Sequence, residues 1–277
     1  MTLESVVLNV SALSDLGLKR AVNEDSVFAE SPVFLVADGM GGHEAGDKAS
    51  QAVVAAFAPL GGTRVSTAEI GAALARANEA VSTISAQHSR GAGSTVAAVA
   101  LVEYEDVPHW LVFNVGDSRV YRHHGNELEQ LTIDHSLGQE LVDAGELRAE
   151  DLATFPQRNV ITRAIGADDN MADSWLVPVV NGERLLICSD GLSGEVSDES
   201  IRATLTMCGR PETAAAALVR RAKQAGGRDN ISVVVVDVVS GGIAGGLQDS
   251  TDSRQSASAV HTSTMLEGTT VPVRRRG

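Results

Sequence analysis

Residues 32–43 read PVFLVADGMGGH, an apolar run of strand length that stops at Asp38 and gives way to glycines, Met40 and His43. Directly after it, AGDKASQAVVAAF (45–57) carries a helical pattern. Two readings compete for the carboxylate among glycines: a tight turn or a cation site. The other apolar runs set the fold around it. VVLNVSAL (6–13), STVAAVALVEY (94–104), HWLVFNV (109–115), RVYRHH (119–124), SWLVPVV (174–180), RLLICS (184–189) and ISVVVVDVV (231–239) share its strand length and β-branched content. Several are too continuously apolar for a half-exposed sheet, which predicts sheets covered on both faces.

Helical patterns fill the gaps. Residues 66–87 open on Ser66 with Glu69 three positions on, a capping-box signature; 197–205 likewise opens on a serine, Ser197, with acids in its first turn, and 211–226 begins on Pro and ends on Gly. The order is strands, two helices, strands, an irregular segment, strands, two helices, strand. It predicts an α+β fold, a four-layer α-β-β-α sandwich of two stacked sheets with helices outside. A doubly wound parallel sheet would need stricter βαβ alternation and ranks second.

At 277 residues the chain has room for one large domain, read as 1–240, followed by a tail. Residues 241–277 are rich in Gly, Ser and Thr, poor in large apolar residues, and carry Arg274, Arg275 and Arg276 just before Gly277; they predict a disordered tail or linker. Residues 135–165 form a long connection with at most one or two short helices, either a lid or a plain surface excursion. Cys188 and Cys208 have no CxxC or Cys/His spacing, which suits core residues in a reducing compartment. No apolar run approaches the roughly 18 residues of a spanning helix, and the N-terminus lacks a basic signal-peptide region, so a cytoplasmic protein without a membrane span is expected. Nothing demands an oligomer, and a monomer is expected. With 22 basic against 36 acidic residues and a net charge of −14, nucleic acid is a disfavoured partner. An anion could bind only where an arginine or a metal ion inverts the local field.

Asp38 has company. Asp117 follows LVFNVG, Asp190 follows RLLICS and precedes Gly191, and Asp229 stands in GGRDN before the last apolar run. Any one is an ordinary turn residue. Four at strand mouths are harder to dismiss, because two unit charges ~4 Å apart repel by about 4 kcal/mol even at an effective dielectric of ~20. A cluster must raise its pKa values, recruit arginines or bind cations. The donors are hard oxygens, which selects Mg²⁺ or Mn²⁺ over zinc. Near the N-terminus Arg20 precedes Asn23, Glu24 and Asp25, either a salt-bridged turn or a phosphate-gripping arginine beside acids that hold metal-bound water.

Taken in order, R-x-x-NED (20–25), ADGMGG (37–42), GDSR (116–119), SDG (189–191) and GRDN (227–230) resemble the metal-dependent protein phosphatases of type 2C, in their compact bacterial form. The resemblance spans residues 13–238. It implies a metal-dependent protein serine/threonine phosphatase whose substrates are phosphorylated proteins, in opposition to bacterial Ser/Thr kinases. It further implies that Asp38 bridges two Mn²⁺ or Mg²⁺ ions, joined by the Gly39 carbonyl, Asp190 and Asp229, with Asp117 on a third ion. Glu24 and Asp25 would orient metal-bound water, and Arg20 would hold the phosphate. Eukaryotic members of the family commonly carry histidine directly after the Asp-Gly as a candidate acid. Met40 cannot donate a proton, which leaves the general acid unassigned, and His43 and His135 are read as structural or solvent-facing. Two alternatives keep the same fold: a phosphatase restricted to one regulatory partner, and a phosphoprotein-binding regulator without turnover. The intact set of carboxylates argues against the latter. A nucleotide-binding reading lacks a GxxxxGK[ST] loop.

Overall fold

The computed structural model describes residues 3–41 and 45–244. Eleven strands appear among them: β1 (Val7–Asp15), β2 (Asp25–Glu30), β3 (Val33–Gly41), β4 (Ala92–Ser94), β5 (Val96–Tyr104), β6 (Val107–Val115), β7 (Arg119–His124), β8 (Glu127–Gln130), β9 (Asp173–Pro178), β10 (Arg184–Cys188) and β11 (Ile231–Ser240). The helices are α1 (Ala45–Phe57), α2 (Thr67–Ala86), α3 (Leu137–Asp143), α4 (Asp190–Ser193), α5 (Asp198–Met207) and α6 (Pro211–Ala225). One sheet runs β1-β11-β10-β7-β8 and the other β2-β3-β5-β6-β9, with β4 added to the end of β3. Neighbours are antiparallel throughout.

The continuous apolar runs are explained by burial of both faces. In β3, Val33, Leu35 and Ala37 join the core under α1 and α2, while Phe34 and Val36 face the other sheet. In β11, Ile231, Val233 and Val235 meet α5 and α6, and Val234, Val236 and Val238 turn inward. Period-two alternation thus feeds two cores from one strand. Between the sheets Phe34 and Trp110 meet edge to face at 6.3 Å, an arrangement worth about 0.5–1.5 kcal/mol beyond its buried area. The expected four-layer sandwich is therefore observed. The capping box at Ser66 and Glu69 forms in full, and Ser197 caps α5.

Three features differ from the sequence reading. β2 and β8 are short strands, and a half-buried run bounded by acids, as in DSVFAE, carries too little periodicity to read as one. β3 does not stop at Asp38: Gly39, Met40 and Gly41 stay extended and pair with β4. Asp190 begins a helix rather than a bare turn. Past β11, the Ile243 N–H donates to Val179 O at 2.8 Å, and Asn181 N–H to Ile243 O at 3.0 Å, so 241–244 fold back on the domain. His43 and the remainder of the expected tail lie outside the described residues. Among the described residues, no helix is long and apolar enough to cross a membrane.

Candidate metal centre

Antiparallel pairing brings the carboxylates to one end of the sandwich. β10 ends beside the start of both β11 and β7, which gathers Asp190, Asp229 and Asp117. In the second sheet, Asp25 and Asp38 are direct cross-strand partners. Asp38 sits where β3 changes partner, from β5 at Val36 to β4 at Gly39. Thr95 bridges the break: its N–H donates to Asp38 O at 2.8 Å and its Oγ1 accepts the Asp38 N–H at 3.0 Å.

Gly39 is required for close approach rather than for a turn. A Cβ there would overlap the Gly46 carbonyl and come within 2.6 Å of Glu24 O. Gly46, at the start of α1, returns the favour: a Cβ on it would overlap Glu24 Oε1 and lie 2.9 Å from the Gly39 oxygen. The missing side chains leave one hollow that holds the Gly39 carbonyl and the Glu24 carboxylate. On the opposite wall, a Cβ at Gly191 would overlap Asn230 O.

The electrostatics of this end are strained. Asp38 keeps some accessible surface, as a group lining an open pocket does, yet the surrounding protein desolvates it. That burial, followed by the charges of Asp25, Asp190, Asp117 and Asp229, holds its carboxyl well above the usual range. Burial first, and the charges of Asp190 and Asp229 after it, push Asp25 up to about 7 despite the hydrogen bond from Ser189. Asp117 is pushed up to about 8 by burial, Asp190 and Asp134. Asp190 is raised as well, by burial and the charge of Asp229. Asp25 Oδ1, Asp117 Oδ1 and Asp190 Oδ1 are buried with no hydrogen-bond partner. Unpaired anionic oxygens crowded together in a desolvated pocket fit a hard divalent cation. Among the described residues no three acidic or histidine side chains already close into a cage; the carboxylates gather without converging on one point.

Arg20 stands at the rim with its side chain 44% exposed, and its Nη2 donates to Asp229 Oδ2 at 2.7 Å. A weaker contact reaches Glu24 Oε2 at 3.5 Å. The salt-bridged turn weighed for this segment is thus observed, at the rim of the carboxylate cluster.

The model of the family described as Protein phosphatase 2C matches residues 19–224. The chain belongs to the protein phosphatase 2C family. It is 39% identical over 244 residues to the serine/threonine protein phosphatase PstP of Mycobacterium tuberculosis, covering 85% of this chain and 46% of PstP. The chain therefore spans about half the length of that relative. It is 34% identical over 248 residues to the protein phosphatase PhpP of Streptococcus pneumoniae, covering 83% and 98% of the two chains. The crystal structure of the PstP catalytic domain in complex with two manganese ions superposes with a TM-score of 0.76 at 36% identity, covering 85% of this chain and all of that one.

Within this protein phosphatase 2C domain, the sequence motifs contain three polar residues whose roles the sequence does not declare. Asn230, 3% exposed, donates from Nδ2 to both Leu16 O and Val22 O at 3.0 Å, and its Oδ1 accepts the Glu24 N–H at 2.9 Å. It ties both ends of the Arg20 loop to the Asp229 turn. Ser189 Oγ donates to Asp25 Oδ2 at 2.8 Å and accepts the Ser232 N–H at 3.0 Å. Asn23 Oδ1 accepts the Asp25 N–H at 3.2 Å. A polar residue next to each motif acid is the only sequence signal for them. His135 is structural: its Nδ1 accepts the Gly116 N–H at 3.1 Å, which leaves Nε2 to donate to Asp173 at 3.3 Å. The connection at 135–165 leaves and returns through the Ser136–Ile161 bridge, and its Leu152, Arg158 and Asn159 wall a cavity of about 390 Å³ with Asp117, Arg119 and Asp190. It borders the site.

Proposed function

We propose that the chain is a protein serine/threonine phosphatase requiring Mn²⁺ or Mg²⁺, which hydrolyses phosphoserine and phosphothreonine with water as nucleophile. The observation that carries this reading is the set of buried, unpartnered oxygens of Asp25, Asp117 and Asp190 around Asp38 in a chain of the protein phosphatase 2C family. Asp38, the Gly39 carbonyl, Asp190 and Asp229 would hold two ions, and Asp117 a third. Bound divalent ions in such a site supply an activated water and neutralise phosphoryl charge.

The chain's own residues do the rest. Arg20 offers two parallel donors to the phosphate, from a rim position open to solvent. Glu24 and Asp25 accept hydrogen bonds from the attacking water and fix its direction toward phosphorus; Ser189 and Asn230 hold those two acids in place. Met40 carries no acidic proton and pairs with Gly93 in β4, so the proton for the departing serine or threonine oxygen comes from a group other than this side chain. PstP and PhpP are named as phosphatases of the same class, and phosphorylated proteins, Ser/Thr kinases among them, are the substrates we assign here. Free Cys188 and Cys208 suit a reducing cytoplasm, and a monomer suffices.

The test is phosphate release from a phosphothreonine peptide, with Mn²⁺ present or chelated. Hydrolysis that survives chelation, or that is absent from folded, manganese-supplied protein, would overturn the reading.

A further inference from the structure

Among the described residues, eight large apolar side chains are exposed, and four of them, Leu13, Leu16, Leu18 and Val22, lie within ten residues around the Arg20 loop. Leu13 and Leu18 face Ala216 and Val219 of α6 across an open groove of about 480 Å³. The polar groups of this groove leave a net positive rim. Asp15 is neutralised by Lys223, whose Nζ donates to it at 2.9 Å, whereas Arg220 has no ion-pair partner among the described residues. Lys19, beside Leu18, has none either. Arg220 thus sets an unpaired positive charge over an aliphatic floor on a chain of net charge −14.

The groove is joined to the site. Leu18 N–H donates to Gly227 O at 2.7 Å, and a Cβ at Gly17 would overlap Asp229 O, so its wall is pressed against the turn that carries Asp229. We propose that this groove docks a segment of the phosphoprotein substrate remote from the phosphorylated residue. That segment would be an aliphatic side chain flanked by acids, the aliphatic group on Leu13, Leu18, Ala216 and Val219 and the acids on Arg220. The proposal rests on the phosphatase reading for its turnover consequences, and one binding measurement separates the two.

Three substrates test it: a phosphothreonine peptide extended by a Leu-Glu-Glu segment, its Leu-Lys-Lys counterpart, and p-nitrophenyl phosphate, which is too small to reach the groove. Arg220→Glu should raise KM for the Glu peptide by roughly two- to fivefold at low ionic strength and shift preference toward the Lys peptide, since a rim ion pair is a modest contact. Leu13→Asn should raise KM for both peptides. Turnover of p-nitrophenyl phosphate by either variant should be unchanged, which certifies the fold. Fluorescence anisotropy of the unphosphorylated Leu-Glu-Glu peptide should report binding weakened by Arg220→Glu, and this holds even in a protein that hydrolyses nothing. Peptide KM and anisotropy both indifferent to Arg220→Glu would overturn the proposal. So would tighter peptide binding after removal of residues 245–277, which would give the groove to the chain's own C-terminal segment. Sedimentation altered by Leu13→Asn would give it to a second copy and equally overturn it.

Discussion

Asp25 and Asp38 lie opposite each other across β2 and β3, where like charges destabilise a sheet, and Asp117 and Asp190 crowd the same end. Without a cation this arrangement opposes folding, so removing a charge should help the metal-free protein while harming the enzyme. Asp117→Asn is expected to stabilise metal-free protein at pH 8 by on the order of 1–3 kcal/mol, read from denaturant midpoints. Asp190→Asn should leave the fold intact and lower kcat for a phosphothreonine peptide on the order of 10²-fold or more, as loss of a charge-stabilising group does; retained turnover would exclude Asp190 from the centre. Asn230→Ala works in the opposite sense. It strands Glu24 N–H, Leu16 O and Val22 O, and should cost at least about 3 kcal/mol of stability, at roughly 1–3 kcal/mol for each of the three groups, together with a higher KM as Arg20 loosens. The acids themselves were legible in the sequence because each abuts a strongly apolar strand, Asp38, Asp117 and Asp190 after one and Asp229 before one. Their strain was not, since it depends on which strand ends meet, and the Arg20–Asp229 pair joins residues 209 apart.

At the scale of the element, the strand and helix pattern was read largely from apolar runs and caps, with Ser66, Ser197 and Pro211 marking helix starts where the structure has them. β2 escaped because a six-residue strand with a mostly half-buried pattern has no periodicity to display. The glycines of 39–41 suggested a turn because composition cannot distinguish a turn from a close approach; only the position of Gly46 against Gly39 reveals the latter. Gly191→Ala tests the same idea on the other wall. Its Cβ would overlap Asn230 O and displace the Asp229 turn, an overpacking cost of about 1–3 kcal/mol with metal affinity reduced in parallel, measurable by thermal melts with and without Mn²⁺.

For the whole molecule, these raised pKa values become a pH dependence. Asp25 and Asp117 move from 3.8 when unfolded to about 7 and about 8 when folded, so the native state binds more protons than the unfolded one between those limits. Metal-free stability from these groups is therefore fully retained below pH 3.8 and falls as pH rises through 7 to 8. A divalent ion must displace the same protons, so Mn²⁺ should raise the melting temperature more at pH 8 than at pH 5, in scans at matched ionic strength. The measurement closest to the heart of the account is anomalous diffraction at the manganese edge from crystals grown at saturating Mn²⁺. Manganese peaks within coordination distance of Asp38, Asp190 and Asp229, with Arg20 released from Asp229, are the expected result. Crystals that show no manganese at this end of the sandwich, with Arg20 still paired to Asp229, would contradict it.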